Sequence, residues 1–316
     1  MGEFELIARY FDRGPVRHAE LGIGDDCALL AQLAAGSRLA VTTDMLVAGR
    51  HFLPDADPVG IGHKTLAVNL SDLAAMGAKP IGFTIALALP ELDERWLQAF
   101  SRGLFELADR VGCELLGGDT TRGPLNLCVT AFGERPANAA LRRDLAQPGD
   151  DLWVSGELGG AALALDQLLN DKGRLVSAPA RARLERPEPR IELGLALRDL
   201  AHAAIDLSDG LVQDLGHICR RSRVGAVLNW PCVPLFAGLR DLPAPRQQAL
   251  ALAGGDDYEL LFTAPPARRA AIDALAAASG LALTRIGHIQ AGEQVRVLDA
   301  NGAALSLAAG GFDHFA

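Results

Sequence analysis

The stretch Ile205-Asp-Leu-Ser-Asp-Gly-Leu211 constrains this chain more than any other. It sets Asp206, Ser208 and Asp209 within four residues, closes them with Gly210, and flanks them with Ile205, Leu207 and Leu211. A carboxylate in apolar surroundings must be paired, bound to a cation or protonated, because desolvating a lone charge is costly. The stretch contains no Lys or Arg. A fold built around it therefore has to supply a cation.

Other acids are presented in similar settings. Residues 3–13 carry Phe4, Leu6, Ile7, Tyr10 and Phe11 at helical spacing, and Leu21-Gly-Ile-Gly-Asp-Asp-Cys27 then predicts a tight loop displaying Asp25 and Asp26. Residues 38–43 predict a strand ending in Thr42-Thr43-Asp44, hydroxyls and a carboxylate suited to a hard cation. A helix is predicted over 60–78, with Asn69 and Asp72 three apart on one face. A strand over 81–89 and a helix over 91–111 follow, and within 113–122 a short strand runs into a turn at Gly117-Gly118-Asp119, with Thr120, Thr121 and Arg122 beside it. Another strand over 125–132 completes a unit of alternating strands and helices.

Residues 137–151 lack a period and end in Pro148-Gly149-Asp150, which marks a domain boundary. We divide the chain into residues 1–137 and 138–316. Beyond it, 152–170 reads as strand, glycine turn and helix, although Gly156, Gly159 and Gly160 match no phosphate-loop spacing. Residues 181–189, charged and carrying Pro187 and Pro189, read as a surface hinge before a helix over 190–202. A helix over 211–221 bears Asp214 on its first turns, and a strand is expected over 224–230. Gly254-Gly-Asp-Asp-Tyr-Glu-Leu260 presents Asp256 and Asp257, leading into a strand to Thr263. A helix over 267–278 and strands near 281–289 and 295–298 finish an α/β (α+β) pattern.

If four such acids gathered, each pair about 5 Å apart would repel by roughly 3 kcal/mol at an effective dielectric near 20. Divalent cations between them offset that cost. Oxygen ligands from Asp and Thr, without Cys pairs or clustered His, select Mg²⁺ over zinc. The five cysteines include no C-x-x-C pair, so neither a zinc site nor a disulfide framework is indicated. A formal charge of −9 argues against a nucleic-acid partner, which needs a basic face. The beginning Met-Gly-Glu-Phe-Glu, with no long apolar run, points to the cytoplasm and to no membrane. The residues alone thus point to Mg-dependent phosphoryl transfer, with metal ions supplying the positive charge that an acidic chain lacks.

Together, Gly24-Asp25-Asp26, Thr42-Thr43-Asp44, Asn69-Leu-Ser-Asp72-Leu-Ala-Ala-Met-Gly77, Gly117-Gly118-Asp119-Thr-Thr-Arg, Asp206-Leu-Ser208-Asp209-Gly-Leu and Gly254-Gly255-Asp256-Asp-Tyr-Glu resemble the thiamine-monophosphate kinase family. That family lies in the superfamily that includes aminoimidazole ribonucleotide synthetase. The likeness runs in order from Phe4 to Phe312-Asp-His-Phe. It implies two domains, an N-terminal mixed sheet pairing across a homodimer and a C-terminal α/β sandwich that completes the active site. It further implies that Asp26, Thr42, Thr43, Asp44, Asp72, Asp119, Asp206 and Asp209 ligate several Mg²⁺ ions. By the same likeness Gly118, Asp119, Arg143 and Ser208 contact ATP, and His51, Asp256 and Phe312 fall at substrate-contacting positions. Two of these depart from common usage in the family, where the position of Asp256 is often Glu and that of Phe312 often Tyr or Trp. The implied reaction is direct transfer from ATP to thiamine monophosphate, without a protein general base. A synthetase of the same superfamily, activating an amide or amidine precursor with ATP, is the alternative.

Overall fold

The computed structural model describes residues 2–23, 27–138, 141–170 and 176–306, without the side chains of Glu3 and Phe4. The chain divides into two compact units, Met1–Leu73 with Ala78–Asn138, and Ala74–Gly77 with Ala139–Ala316.

In the first unit, helix α1 (Glu3–Tyr10) precedes a small ladder of β1 (Ala19–Leu21) and β2 (Leu29–Leu30). Then come β3 (Ser37–Val47), α2 (Pro58–Ala75), β4 (Lys79–Leu89), α3 (Glu94–Val111), β5 (Glu114–Arg122) and β6 (Asn126–Pro136). Four strands form a mixed sheet in the order β3-β6-β4-β5. Only β4 and β5 run parallel, as the α3 crossover between them requires. Helix α3 is fixed at both ends. Asp93 accepts N–H bonds from Arg95 and Trp96 at 2.8 and 3.2 Å, and Gly112 closes the other end at φ 68°. The helices meet closely: a Cβ on Gly62 of α2 would lie 2.0 Å from the Phe100 carbonyl oxygen, and one on Gly103 of α3 would lie 1.9 Å from that of Val59. Alternate residues of the central strands, Phe83, Ile85, Leu127, Val129 and Ala131, are buried, as are Leu66, Leu70, Leu97, Phe100 and Leu104 of the helices. Burying each large side chain of this kind contributes about 1.5–3 kcal/mol.

Two expectations are corrected here. The strand predicted over 38–43 continues to Val47, so Thr42-Thr43-Asp44 lies inside β3 and not at its end. Gly117-Gly118-Asp119 is no turn either; it lies within β5. Gly118 is required there because a Cβ would sit 1.9 Å from the Ile85 carbonyl oxygen of the neighbouring strand.

The second unit comprises β7 (Asp151–Ser155), α4 (Gly160–Asn170), α5 (Ala178–Glu185), α6 (Ile191–Leu197), β8 (Ala203–Asp206), α7 (Leu211–Ser222) and β9 (Gly225–Asn229). It continues through α8 (Ala244–Gln248), β10 (Leu260–Ala264), α9 (Arg269–Ser279), β11 (Leu283–Gln290) and β12 (Val295–Leu298). Its six-stranded sheet has the order β12-β9-β11-β7-β10-β8, with only β12 and β9 parallel. Leu152, Val154 and Ile205 from the sheet pack with Leu211, Leu215 and Ile218 of α7 in one core. The predicted hinge over 181–189 is instead half occupied by α5, whose N-cap Ser177 accepts from the Ala180 N–H. Pro187 and Pro189 behind it are buried.

Candidate active site

In the first unit, α2 presents Asn69 and Asp72 to β3. The side-chain oxygen of the fully buried Asn69 accepts the Asp44 N–H at 3.0 Å, and the Asn69 amide donates to the Thr65 carbonyl at 3.2 Å. The Thr42 hydroxyl donates to the Asp72 carboxylate. Thr42, Asp44 and Asp72 therefore gather where β3 meets α2, as an all-oxygen set.

Thr43 and Asp119 are placed differently. Successive side chains on a strand alternate faces, so Thr43 lies on the other side of the sheet, its hydroxyl 2.9 Å from that of Thr130. Cross-strand pairing puts Asp119 in one row with Ala86, Cys128 and Met45, also away from the Asp44 face. Two strands intervene between β3 and β5, a separation of about 14 Å. Within this unit Asp119 and Asp44 thus do not meet.

His51 follows β3 in a tight turn. Its Nδ1 accepts the Val47 N–H at 3.0 Å, and its own N–H returns to the Val47 carbonyl at 3.0 Å. The buried Lys64 ammonium donates to the His51 carbonyl at 3.3 Å. With Nδ1 accepting, the neutral ring carries its proton on Nε2.

In the second unit, Asp206 ends β8 and is 4% exposed. The chain then turns through Ser208 and Asp209 to Gly210, at φ 120°, where a Cβ would lie 2.9 Å from the Ala253 backbone. Asp214, one turn into α7, holds this loop from beneath: its carboxylate accepts the N–H groups of Asp209 at 3.1 Å and Gly210 at 3.2 Å. The Gln213 amide donates to Asp209 at 3.2 Å. Burial pushes the Asp214 carboxyl up to about 7; the two N–H bonds oppose this and the charge of Asp209 adds to it. Asp209, Asp214 and His217 offer ligand atoms that all lie within 4.8 Å of one another. Burial, then the positive charges of Arg220 and Arg143, lower the His217 ring below its ordinary value. Arg143 is itself exposed, and its charge is felt at both Asp214 and His217.

The 254–259 segment is zipped to this loop through its backbone. Asp256 N–H donates to the Ser208 carbonyl at 2.9 Å, Tyr258 N–H to that of Leu207 at 2.8 Å, and Leu207 N–H to that of Glu259 at 2.9 Å. Asp256 and Tyr258 take left-handed φ values of 69° and 49°, a conformation that costs a non-glycine residue of order 1 kcal/mol. Below them, Asp257 accepts the Gly159 N–H on both oxygens, at 3.0 and 2.9 Å, and burial pushes its carboxyl up to about 8. Glu259, 1% exposed, is bound by Arg190 at 2.7 and 2.5 Å, by Arg183 at 3.1 Å and by the Ser155 hydroxyl at 2.6 Å. The glycines before α4 thus receive a carboxylate of the protein itself and not a phosphate.

Comparison with known proteins decides the family. Residues 24–134 match the model of the AIR synthase related protein N-terminal domain, and 147–300 that of the corresponding C-terminal domain. The chain is 49% identical to the thiamine-monophosphate kinase of Escherichia coli (strain K12), over all of this chain and 98% of that one. This chain belongs to the thiamine-monophosphate kinase family. A crystal structure of the thiamine-monophosphate kinase from Stenotrophomonas maltophilia K279a superposes at a TM-score of 0.85, with 50% identity and 96% of each chain covered. A structure of AaThiL complexed with AMPPCP and TMP superposes at 0.77, with 31% identity over 91% of this chain and 90% of that one. Both also carry the mixed α/β fold expected of the family.

Asp26 and Phe312, expected at the metal and substrate positions of such kinases, lie outside the described residues. Sequence reasoning missed His217 altogether and gave Asp214 no role. The signal available for both was spacing: Asp214 and His217 are three apart on one helix face, five and eight residues after Asp209.

Proposed function

We propose that this member of the thiamine-monophosphate kinase family transfers the γ-phosphoryl group of ATP to thiamine monophosphate, giving ADP and thiamine diphosphate. The observation that carries the reading is identity near one half over the full length of the Escherichia coli kinase. A phosphate monoester has a second pKa near 6, so the attacking oxygen is already anionic near pH 7 and needs no general base. The obstacle is repulsion between two anions. Arg143 meets part of it and holds ATP together with Ser208, Gly118 and Asp119. The carboxylates named below would hold Mg²⁺, which would supply the positive charge that offsets the phosphates.

Hard oxygen donors suit that ion, and Thr42, Asp44 and Asp72 form such a set. With them Asp26, Thr43, Asp119, Asp206 and Asp209 are the proposed ligands, and several ions are involved. His51 and Asp256 orient thiamine monophosphate; Phe312 stacks on it. Residues 1–137 act as the Mg/ATP-binding and dimerisation part, and residues 138–316 supply Arg143, Asp206, Ser208, Asp209 and Asp256. The homodimer is supported by the outward face of β3, where Leu39, Val41 and Met45 are 41, 56 and 52% exposed. No helix of the described residues is long and apolar enough to cross a membrane. The working compartment proposed is the cytoplasm, where ATP is available.

The test is an assay with ATP and Mg²⁺ over thiamine monophosphate, free thiamine and aminoimidazole precursors. ADP and a diphosphate ester should form with thiamine monophosphate alone. ADP and inorganic phosphate from an amide or amidine precursor would overturn the proposal. With chiral γ-phosphorus, direct in-line transfer predicts inversion, and net retention would indicate a phosphoenzyme.

A further inference from the structure

At the far end of the second unit's sheet lies a cavity of about 410 Å³, lined in part by Asp151, Asn229, Cys232, Arg269, Arg285 and His288. It is remote from the Asp206 loop. Asp206 pairs with Leu260 at the start of β10, whereas Asp151 pairs with Ala264 at its end, four residues or about 13 Å along the strand.

The charges in this cavity are unequal. Arg269 engages Asp151 with two short bonds, Nε to Oδ2 at 2.6 Å and an Nη to Oδ1 at 2.7 Å, and these hold the Asp151 carboxyl below its usual range. Each carboxylate oxygen thereby accepts a bond from Arg269. Arg285 reaches Asp151 only at 3.4 Å, near the limit of a hydrogen bond, and makes no other among the described residues. Its guanidinium has five N–H donors. Asn229, at the end of β9, and His288, on β11, likewise make no side-chain hydrogen bond among the described residues. Two guanidinium groups thus face one carboxylate, with an amide and an imidazole beside them. On a chain of net charge −9 a cavity with surplus positive charge runs against the average field.

We propose that this cavity binds a phosphate group, with Arg285, His288 and Asn229 as its donors. These donors come from two strands and from separate positions, which suits the several oxygens of a tetrahedral phosphate better than the two of a planar carboxylate. Arg285 supplies the fork that phosphate recognition favours. The volume lies within the range of small-ligand pockets and leaves room for an organic group on the phosphate. The site is separate from the phosphoryl-transfer centre and does not depend on the assignment of that reaction.

Cys232 provides a local reporter, because its thiol is exposed and lines the cavity. Alkylation of Cys232 by iodoacetamide, followed by peptide mass spectrometry on the full chain without Mg²⁺, should slow as inorganic phosphate or glycerol phosphate is added. An occupied site lowers the rate by a factor of 1 + [L]/Kd, ~10-fold at about nine times Kd. Arg285→Gln should abolish the protection while leaving the rate without ligand unchanged, and His288→Gln should weaken it. Protection by the ester at concentrations where inorganic phosphate has no effect would assign the site to an organic phosphate. Unchanged alkylation of the parent protein with both probes, or equal protection in Arg285→Gln, would overturn the proposal.

Discussion

The β3–α2 region of the first unit and the β8–α7 region of the second both display acids, but they hold them by opposite means. Around Thr42, Asp44 and Asp72 the acids stand half-exposed on regular elements, joined by side-chain bonds across a strand and a helix. Around Asp206 and Asp209 the loop is fastened by backbone bonds to residues 256–259, and from beneath by Asp214 and Glu259, which are 2% and 1% exposed. One region leaves its carboxylates half-exposed. The other uses buried carboxylates as framework and sets its left-handed residues, Asp256 and Tyr258, among them. Acids of the first kind should therefore matter to turnover more than to stability, and those of the second kind to both.

Glu259→Ala tests the framework most severely. It strands Arg190, whose side chain is 15% exposed, without its carboxylate. Removing one partner of a buried pair costs about 3–5 kcal/mol, which denaturant unfolding should register as a large fall in midpoint. Asp72→Asn tests the open region. Its unfolding midpoint should stay near that of the parent, while kcat falls ~10³-fold, about 4 kcal/mol in barrier, as for loss of a group that stabilises transition-state charge. A variant Asp72→Asn that unfolds readily, or that keeps its turnover, would erase the distinction between the two regions.

How much of this was legible in the sequence differs along the same line. The Asp206-Leu-Ser-Asp-Gly loop, helix α7 and strand β12 stood where pattern and glycine placed them, because local chemistry determines them. Strand β3 was cut short at Thr43 because both its faces carry apolar residues, Leu39, Val41 and Met45 outward and Leu46 inward, so the alternation that marks a half-buried strand is hidden. Gly117-Gly118 read as a turn because glycine usually signals one. Here it answers to the Ile85 carbonyl of a neighbouring strand, which no local pattern reveals. Helix α5 was hidden beneath arginines and prolines, although Ser177 and Pro179 at its start are helix-opening signals. Of the acids, the motif residues themselves were readable. Their supports depend on the exact path of a turn, for Asp214 beneath the loop, or on contacts 69 and 76 residues apart, for the Glu259 clamp with Arg190 and Arg183.

Asp214 sharpens the comparison because it belongs to both kinds, a buried framework acid beside an open one. Asp214→Asn keeps an oxygen for the N–H groups of Asp209 and Gly210 but removes a charge from the set it forms with Asp209 and His217. Supports of this sort around a metal site are worth 10–100-fold in affinity or activity. The variant should therefore fold and lose ~10–100-fold in activity, partly restored by raised Mg²⁺. A loss as deep as that of Asp72→Asn, insensitive to Mg²⁺, would instead make Asp214 indispensable to the reaction itself.

The smallest effect is expected at Asp151, where the Arg–carboxylate chemistry of Glu259 is repeated with an exposed partner. Asp151 is buried, but the side chain of Arg269 is 47% exposed, so solvent screens the pair. The Asp151 carboxyl is held below its ordinary range, first by the bonds from Arg269 and against the cost of burial. A depressed folded-state pKa stabilises the fold above the ordinary Asp value near 4, and the contribution fades as pH falls through the depressed value. Arg269→Gln should accordingly lower the unfolding midpoint slightly at pH 7, and the difference from the parent should shrink on acidification below pH 4. Added salt should shrink it as well, because the guanidinium sits in water. If the difference were as large as that of Glu259→Ala and indifferent to salt, burial of the carboxylate alone would set the strength of such pairs. A small, salt-sensitive difference would show that the exposure of the arginine sets it.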